Sequence, residues 1–191
     1  LESYLKGLVS GRKADYVEIH LEDTHLTQIS FRGPVLDAVG ESTVFGGNVR
    51  ALADGGWGFV SFNSLEDLES KVELAVRQAQ LVGRRLRGRS ELAPVPVVND
   101  RVPAELGEDP RTVSLAEKKE LMESYNKLIL DYGRGIATSQ VYYFDRFRRL
   151  HYANSEGTYI EQEKLDLGGS IQAFAVRNGQ TQTMRTKFGS S

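Results

Sequence analysis

The chain has 191 residues, 40% of them hydrophobic and 26% charged, with a net charge of −2 and no cysteine. That length holds one large domain or two small ones of ordinary globular composition. The balanced charge gives no electrostatic footprint for nucleic acid or an anionic membrane, and the missing cysteine excludes disulfides and thiol catalysis on this chain. No apolar run approaches the roughly 18 residues of a membrane helix, and no signal-peptide pattern is visible. A cytoplasmic location is expected, because a cysteine-free chain suits a reducing compartment. The first residue is Leu1 rather than Met, so the natural start is expected to lie upstream.

Tyr4, Leu5, Leu8 and Val9 predict a short first helix ending near Gly11. Residues 15–21 alternate, with Tyr16, Glu18 and His20 against Val17, Ile19 and Leu21, the pattern of a half-buried strand. After a turn, residues 24–31 repeat it, with Thr27, Ile29 and Phe31 on one side. Gly33-Pro34 marks the next turn, and 35–40 form another short strand. A hairpin comes next: Val49, Ala51 and Ala53 alternate with Arg50 and Leu52 up to Asp54-Gly55. Both central residues of a type I′ turn need positive φ, which Asp-Gly supplies. Beyond the turn, Trp57, Phe59 and Ser61 point one way, and Gly58, Val60 and Phe62 the other. Gly55 and Gly56 serve the turn; Gly58 leaves room for a neighbouring backbone or the Trp57 ring. Ser64 is a fit N-cap with Asp67 at the capping-box position, and apolar residues at helical spacing from Leu65 to Val82 follow.

Residues 84–110 carry Arg84, Arg85, Arg87 and Arg89, then Pro94, Pro96, Pro103 and Pro110, without any period. They read as a connector, extended where the prolines fall. Ser114 and Glu117 form a capping box for a second long helix, whose stripe is Leu115, Met122, Tyr125, Ile129 and Tyr132 and whose C′ residue is Gly133. Strand patterns follow at 136–144, 149–154, 158–167, 170–177 and 180–188. Asn154 to Gly157 and Asn178-Gly179 supply turns between them. The whole predicts an α+β chain of two sheet-plus-helix units, with mainly antiparallel or mixed sheets and helices packed on one face. The units are 1–83 and 111–191, joined by the 84–110 connector.

No catalytic or cofactor site is legible. There is no Gly-x-Ser-x-Gly, and neither Gly46-Gly47 nor Gly55-Gly56 is followed by Lys-Ser or Lys-Thr. His20 and His25 flank a predicted turn that holds Glu22 and Asp23, but they read as polar strand-end residues rather than metal ligands. The arginines at 84–89 could hold phosphates, yet no aromatic residue interleaves, so a solvated helix end is the better reading. Trp57, just past a turn, either covers the sheet or lines a groove, and Arg50 lies in the facing strand.

Ala14-Asp15-Tyr16-Val17-Glu18, Gly47-Asn48-Val49-Arg50, Asp54 to Phe59 and Asn154-Ser155-Glu156-Gly157, in this order and spacing, resemble the amino-terminal and middle regions of the TldD/PmbA family. That family, also called modulator of DNA gyrase, contains zinc-dependent peptidases. Their His-Glu-x-x-x-His motif lies in a carboxy-terminal region that these residues lack. The resemblance implies the amino-terminal part of a TldD-like zinc metallopeptidase, shaping substrate access and dimerisation rather than carrying catalysis. Val49-Arg50 and the Asp54–Phe59 motif look closer to the TldD side. It implies no cofactor on this chain, zinc in the missing region, and unfolded peptide as substrate. The implied assembly is a homodimer, or a heterodimer with a PmbA-like subunit. The alternative is a non-catalytic binding module: a PmbA-like partner subunit, or a domain contacting protein or nucleic acid through Arg84 to Arg89. Neither membrane nor nucleic acid is the expected partner. Trp57 and Arg50 are the candidate peptide-binding residues, and Gly55, Gly56, Gly58, Asn154 and Gly157 the structural turn residues.

Overall fold

A computed structural model describes residues 1–85, 88, 90–133 and 135–190. In chain order these form α1 (Glu2–Val9), β1 (Tyr16–Arg32), β2 (Val35–Ala53), β3 (Gly56–Phe62), α2 (Leu68–Gly83), β4 (Asn99–Val102), a 3₁₀ turn (Pro110–Thr112), α3 (Leu115–Asp131), β5 (Ile136–Asn154), β6 (Tyr159–Arg177) and β7 (Gln180–Ser190). Among the described residues the seven strands join one sheet in the order β3-β2-β1-β5-β6-β4, with β7 also paired to β6. β3 runs antiparallel to β2 and β7 to β6, while β4 is parallel to β6. The chain is thus α+β with a mixed, mainly antiparallel sheet.

Four strands are longer than the sequence pattern predicts. β1 runs unbroken through Glu22-Asp23-Thr24, so no turn separates His20 from His25. β2 joins 35–40 to the hairpin strand, β5 joins 136–144 to 149–154, and β6 joins 158–167 to 170–177. The apparent breaks are polar or glycine-rich steps inside strands. A Cβ on Gly47 would collide with the Phe62 ring, and one on Gly169 with the Phe188 ring. At each glycine a neighbouring strand's carbonyl, of His20 at Gly47 and of Tyr142 at Gly169, and an aromatic ring both come closer than a Cβ allows.

Two compact units result. The first comprises Leu1–Asp23, Val44–Ala104 and Arg148–Glu163; the second comprises Thr24–Thr43, Glu105–Phe147 and Lys164–Ser191. β1, β2, β5 and β6 each give a stretch to both, so compactness divides the chain differently from a cut along the sequence at 84–110.

In the first unit, Leu5, Leu8 and Val9 of α1 and Leu68, Val72 and Ala75 of α2 are buried in one cluster with Val17, Ile19, Leu21, Val49 and Ala51. Each of the leucine, isoleucine and valine side chains contributes about 1.5–3 kcal/mol by leaving water. The hairpin forms as predicted. Ala53 faces Gly56 across Asp54 (φ 52°) and Gly55 (φ 78°), both in the left-handed region a type I′ turn requires. α2 then sits directly on β3: a Cβ on Gly56 or Gly58 would strike the α2 backbone at Ala75, Ala79 or Gly83. α2 starts later than predicted. Asp67 is left-handed (φ 55°) and makes no side-chain cap, so helical backbone begins at Leu68, and Ser64 instead accepts the Glu66 N–H at 3.0 Å. The predicted connector holds more order than its composition suggests. Asn99–Val102 pairs with Tyr159–Gln162 with all four of its residues exposed, which leaves no alternating side-chain pattern to read.

In the second unit, Ile29, Phe31, Met122, Val141 and Tyr143 form the core. Ser114 and Glu117 make the predicted capping box, and Gly133 (φ 65°) turns the chain out of α3. Ser114→Ala should lower the unfolding free energy by about 1 kcal/mol, read from urea titrations; an unchanged midpoint would count against this cap. The predicted α3 stripe needs correction. Tyr125 and Tyr132 are exposed, and the inner face is completed by Lys118 and Asn126. Asn126 donates to the Gly33 carbonyl at 2.8 Å and accepts from the Ser139 hydroxyl at 2.6 Å, and Lys118 donates to Asp145 at 2.7 Å. Buried polar groups are tolerated when partnered in this way.

Candidate functional site

α1 and α2 cover one face of the first unit's sheet. The other face carries Tyr16, Glu18 and His20 of β1, Asn48 and Arg50 of β2, and Trp57 and Phe59 of β3, because alternate residues of a strand face opposite ways. Here the sheet encloses an open recess of about 500 Å³, lined by Glu18, His20, Arg50, Phe59, Tyr152 and Ile160 among others.

The recess is built on one carboxylate. Glu18 accepts from the Tyr16 hydroxyl at 2.7 Å and the Tyr152 hydroxyl at 3.0 Å, and pairs with the Arg50 guanidinium at 3.0 Å. The two hydroxyls lie 2.6 Å apart, and Asn154 donates to Tyr16 at 3.4 Å. Each hydroxyl has one proton, so when one of the two donates to the other, that other alone donates to Glu18. Burial, together with the Tyr152 hydroxyl and Glu18, pushes the Tyr16 hydroxyl far above the usual phenol range, and burial likewise raises Tyr152. Both stay neutral donors, unsuited to act as base or nucleophile. Arg50 also stacks on Trp57, its guanidinium carbon 4.5 Å from the ring centroid, and Trp57 meets Tyr16 edge-on at 6.4 Å. Arg50 is anchored on one side and keeps donors facing outward. The arrangement can hold an apolar group against Phe59, Leu150 and Ile160 and a carbonyl or carboxylate against Arg50. It has no activated nucleophile.

The structure brings Trp57 and Arg50 together. Gly55 and Gly56 lie at the hairpin turn, and Gly58 lies under α2 rather than beside the indole. Asn154 is buried and organises its turn: its side-chain oxygen accepts the Glu156 and Thr158 N–H groups at 3.2 and 2.9 Å, and Gly157 (φ 102°) completes the bend. Ser155 fastens this turn to β1, donating its N–H to the Val17 carbonyl at 2.8 Å and accepting the Val17 N–H at 3.0 Å. The histidines do not converge. His20 lines the recess, His25 meets the Thr43 hydroxyl at 3.2 Å, and buried His151 meets the Tyr159 hydroxyl at 2.9 Å. Among the described residues no group of three or more His, Asp or Glu side chains could hold a metal, so they do not fit a zinc site. Arg84 and Arg85 are exposed past the end of α2; Arg87 and Arg89 lie outside the described residues. No helix among the described residues is long and apolar enough to cross a membrane. The roles of Tyr16, Glu18 and Tyr152 escape sequence reading. The polar face of β1 is visible there, but not its partner from β5.

Residues 17–79 match the family model "PmbA/TldA metallopeptidase domain 1", and residues 108–191 match "PmbA/TldA metallopeptidase central domain". The metalloprotease slr0863 of Synechocystis is 38% identical over 93% of this chain, and the metalloprotease MJ0996 of Methanocaldococcus jannaschii 26% identical over 88%. The chain spans 38% and 37% of the length of these relatives. TldE from Thermococcus kodakarensis shares the fold, with a TM-score of 0.77, 14% identity and coverage of 98% of this chain and 42% of its own. So does a Thermotoga maritima protein described as a modulator of DNA gyrase, with a TM-score of 0.72, 18% identity and coverage of 92% and 39%. With both domain models matched in order and a 38% identical relative aligned over 93% of this chain, the chain belongs to the PmbA/TldD metallopeptidase family.

Proposed function

We propose that these residues are the amino-terminal and central part of a TldD-like zinc-dependent peptidase, where they shape the path of an unfolded peptide and help form a dimer without carrying catalysis. The catalytic zinc is held, on this reading, by other parts of the protein, which works in the cytoplasm as a homodimer or with a PmbA-like subunit. Two observations support a supporting role: the chain spans little more than a third of its metalloprotease relatives, and its histidines stand apart.

The observation that carries the reading is the open recess lined by Phe59 and Arg50, with Trp57 stacked on the Arg50 guanidinium. An extended peptide offers carbonyls to the Arg50 fork and alternate side chains to the aromatic rings, a mode with little sequence preference. Adding a strand at the β3 edge is less favourable, because the Phe59 N–H already donates to the Gln78 side chain at 3.2 Å. NMR titration with several unfolded peptides should shift amides of residues 49–62, and Trp57→Ala should weaken binding about fivefold or more, the effect of losing an aromatic anchor. If no peptide moves an amide in that hairpin, the reading fails.

A further inference from the structure

The second unit has a trough that nothing above uses. It encloses about 860 Å³ beside α3, with Val113, Leu121 and Tyr125 on one side and Leu167, Ile171 and Phe188 of β6 and β7 on the other. α3 covers Ile29 and Phe31 of β1 and Val141 and Tyr143 of β5, and stops short of β7. Leu167 and Ile171 of β6 are half-buried against the edge of this core, while every residue of β7 is exposed, so the open sheet beside α3 is β7 with the outer edge of β6. Met184, directly opposite Ala173 and on the same face as Phe188, extends the apolar strip and is 77% exposed.

The wall of the trough carries a helical repeat. Leu121, Tyr125, Leu128 and Tyr132 recur at intervals of four, three and four residues, and are 51%, 38%, 69% and 63% exposed. That spacing is the seam a second helix packs into. An occupant lying on a sheet face finds no backbone partner there, so it must satisfy its own N–H and C=O groups, which a helix does and an extended peptide does not.

The rim selects the charge. Of the charged residues lining the trough, Asp109 is paired with Arg111 and Lys118 with Asp145, both at 2.7 Å. Glu108 at the mouth makes no ion pair among the described residues, and Glu117 is held only by the Ser114 cap. The free charge around the trough is negative. We infer that the trough between α3 and β6–β7 docks an amphipathic helix of a partner protein, one with a single apolar stripe and basic flanks.

Two fluorescein-labelled 18-residue helical probes with the same leucine stripe, one flanked by lysines and one by glutamates, test this on the 191-residue chain. The lysine probe should bind one-to-one, at least about tenfold tighter than the glutamate probe, and weaken as salt is raised. Leu128→Glu and Leu121→Glu should each weaken it about tenfold with unchanged thermal melts, since both residues are exposed at present. Equal binding of the two probes, binding indifferent to these substitutions, or no binding would overturn the proposal. So would a concentration-dependent dimer in sedimentation that Leu128→Glu dissolves, because the occupant would then be a second copy of this chain.

Discussion

Gly58→Ala is expected to cost about 2 kcal/mol or more of folding stability, while Gly7→Ala in α1 is expected to gain about 0.5–1 kcal/mol. The same methyl group has opposite effects because of what it meets. At Gly7 nothing lies within 4 Å of the added Cβ, so the change removes backbone entropy from the unfolded chain and leaves the fold alone. At Gly58 the Cβ points into the α2 backbone at Ala75 and Ala79. A flexible side chain could swing aside, but a helix backbone must move as a body. That motion would lift Val72, Ala75, Val76 and Ala79 from the cluster they share with Val49 and Ala51. The loss is therefore overpacking plus partial loss of burial, and Gly58→Val should exceed it. Urea unfolding of the three variants reads the result as midpoint shifts at constant slope. A Gly58→Ala midpoint equal to the parent would mean that α2 does not rest on β3 as closely as described.

The parts of this fold that were legible are those in which sequence neighbours decide the geometry. Asp54-Gly55 and Asn178-Gly179 both take positive φ and close two-residue hairpins, because the turn's requirements lie within the turn itself. The Ser114–Glu117 box is equally local. The parts that misled are those in which a distant partner decides. Gly47 and Gly169 look like strand breakers until Phe62 and Phe188 are seen across them. Lys118 and Asn126 look like outward residues of α3, and are inward only because Asp145, Ser139 and Gly33 meet them there. The recess divides along the same line. Arg50 and Trp57 share a hairpin and could be named together, whereas Tyr16 and Tyr152, 136 residues apart, become neighbours only through the β1–β5 pairing.

Replacing Lys118 by Met should cost about 3–5 kcal/mol, a large part of the about 5–15 kcal/mol that holds a domain together. Lys118 and Asp145 are both almost wholly buried, with side chains 7% and 6% exposed, and their charged atoms lie 2.7 Å apart. Tyr143 also donates to Asp145, at 2.8 Å; burial and the carboxylate push its hydroxyl well above the usual phenol range, so it remains a neutral donor. Taking away the ammonium leaves a buried carboxylate with one hydroxyl for company, which is the expensive outcome. Asp145→Leu should cost a similar amount by stranding Lys118 and Tyr143. The combination Lys118→Met, Asp145→Leu and Tyr143→Phe removes every member of the network, fills the space with apolar groups, and should recover most of the loss. This non-additivity separates a charge network from simple packing, for which the three changes would sum. Unfolding free energies of the single variants and the triple variant decide it. If the triple variant is as unstable as the sum of its parts, Lys118 serves through its methylene stem rather than its charge.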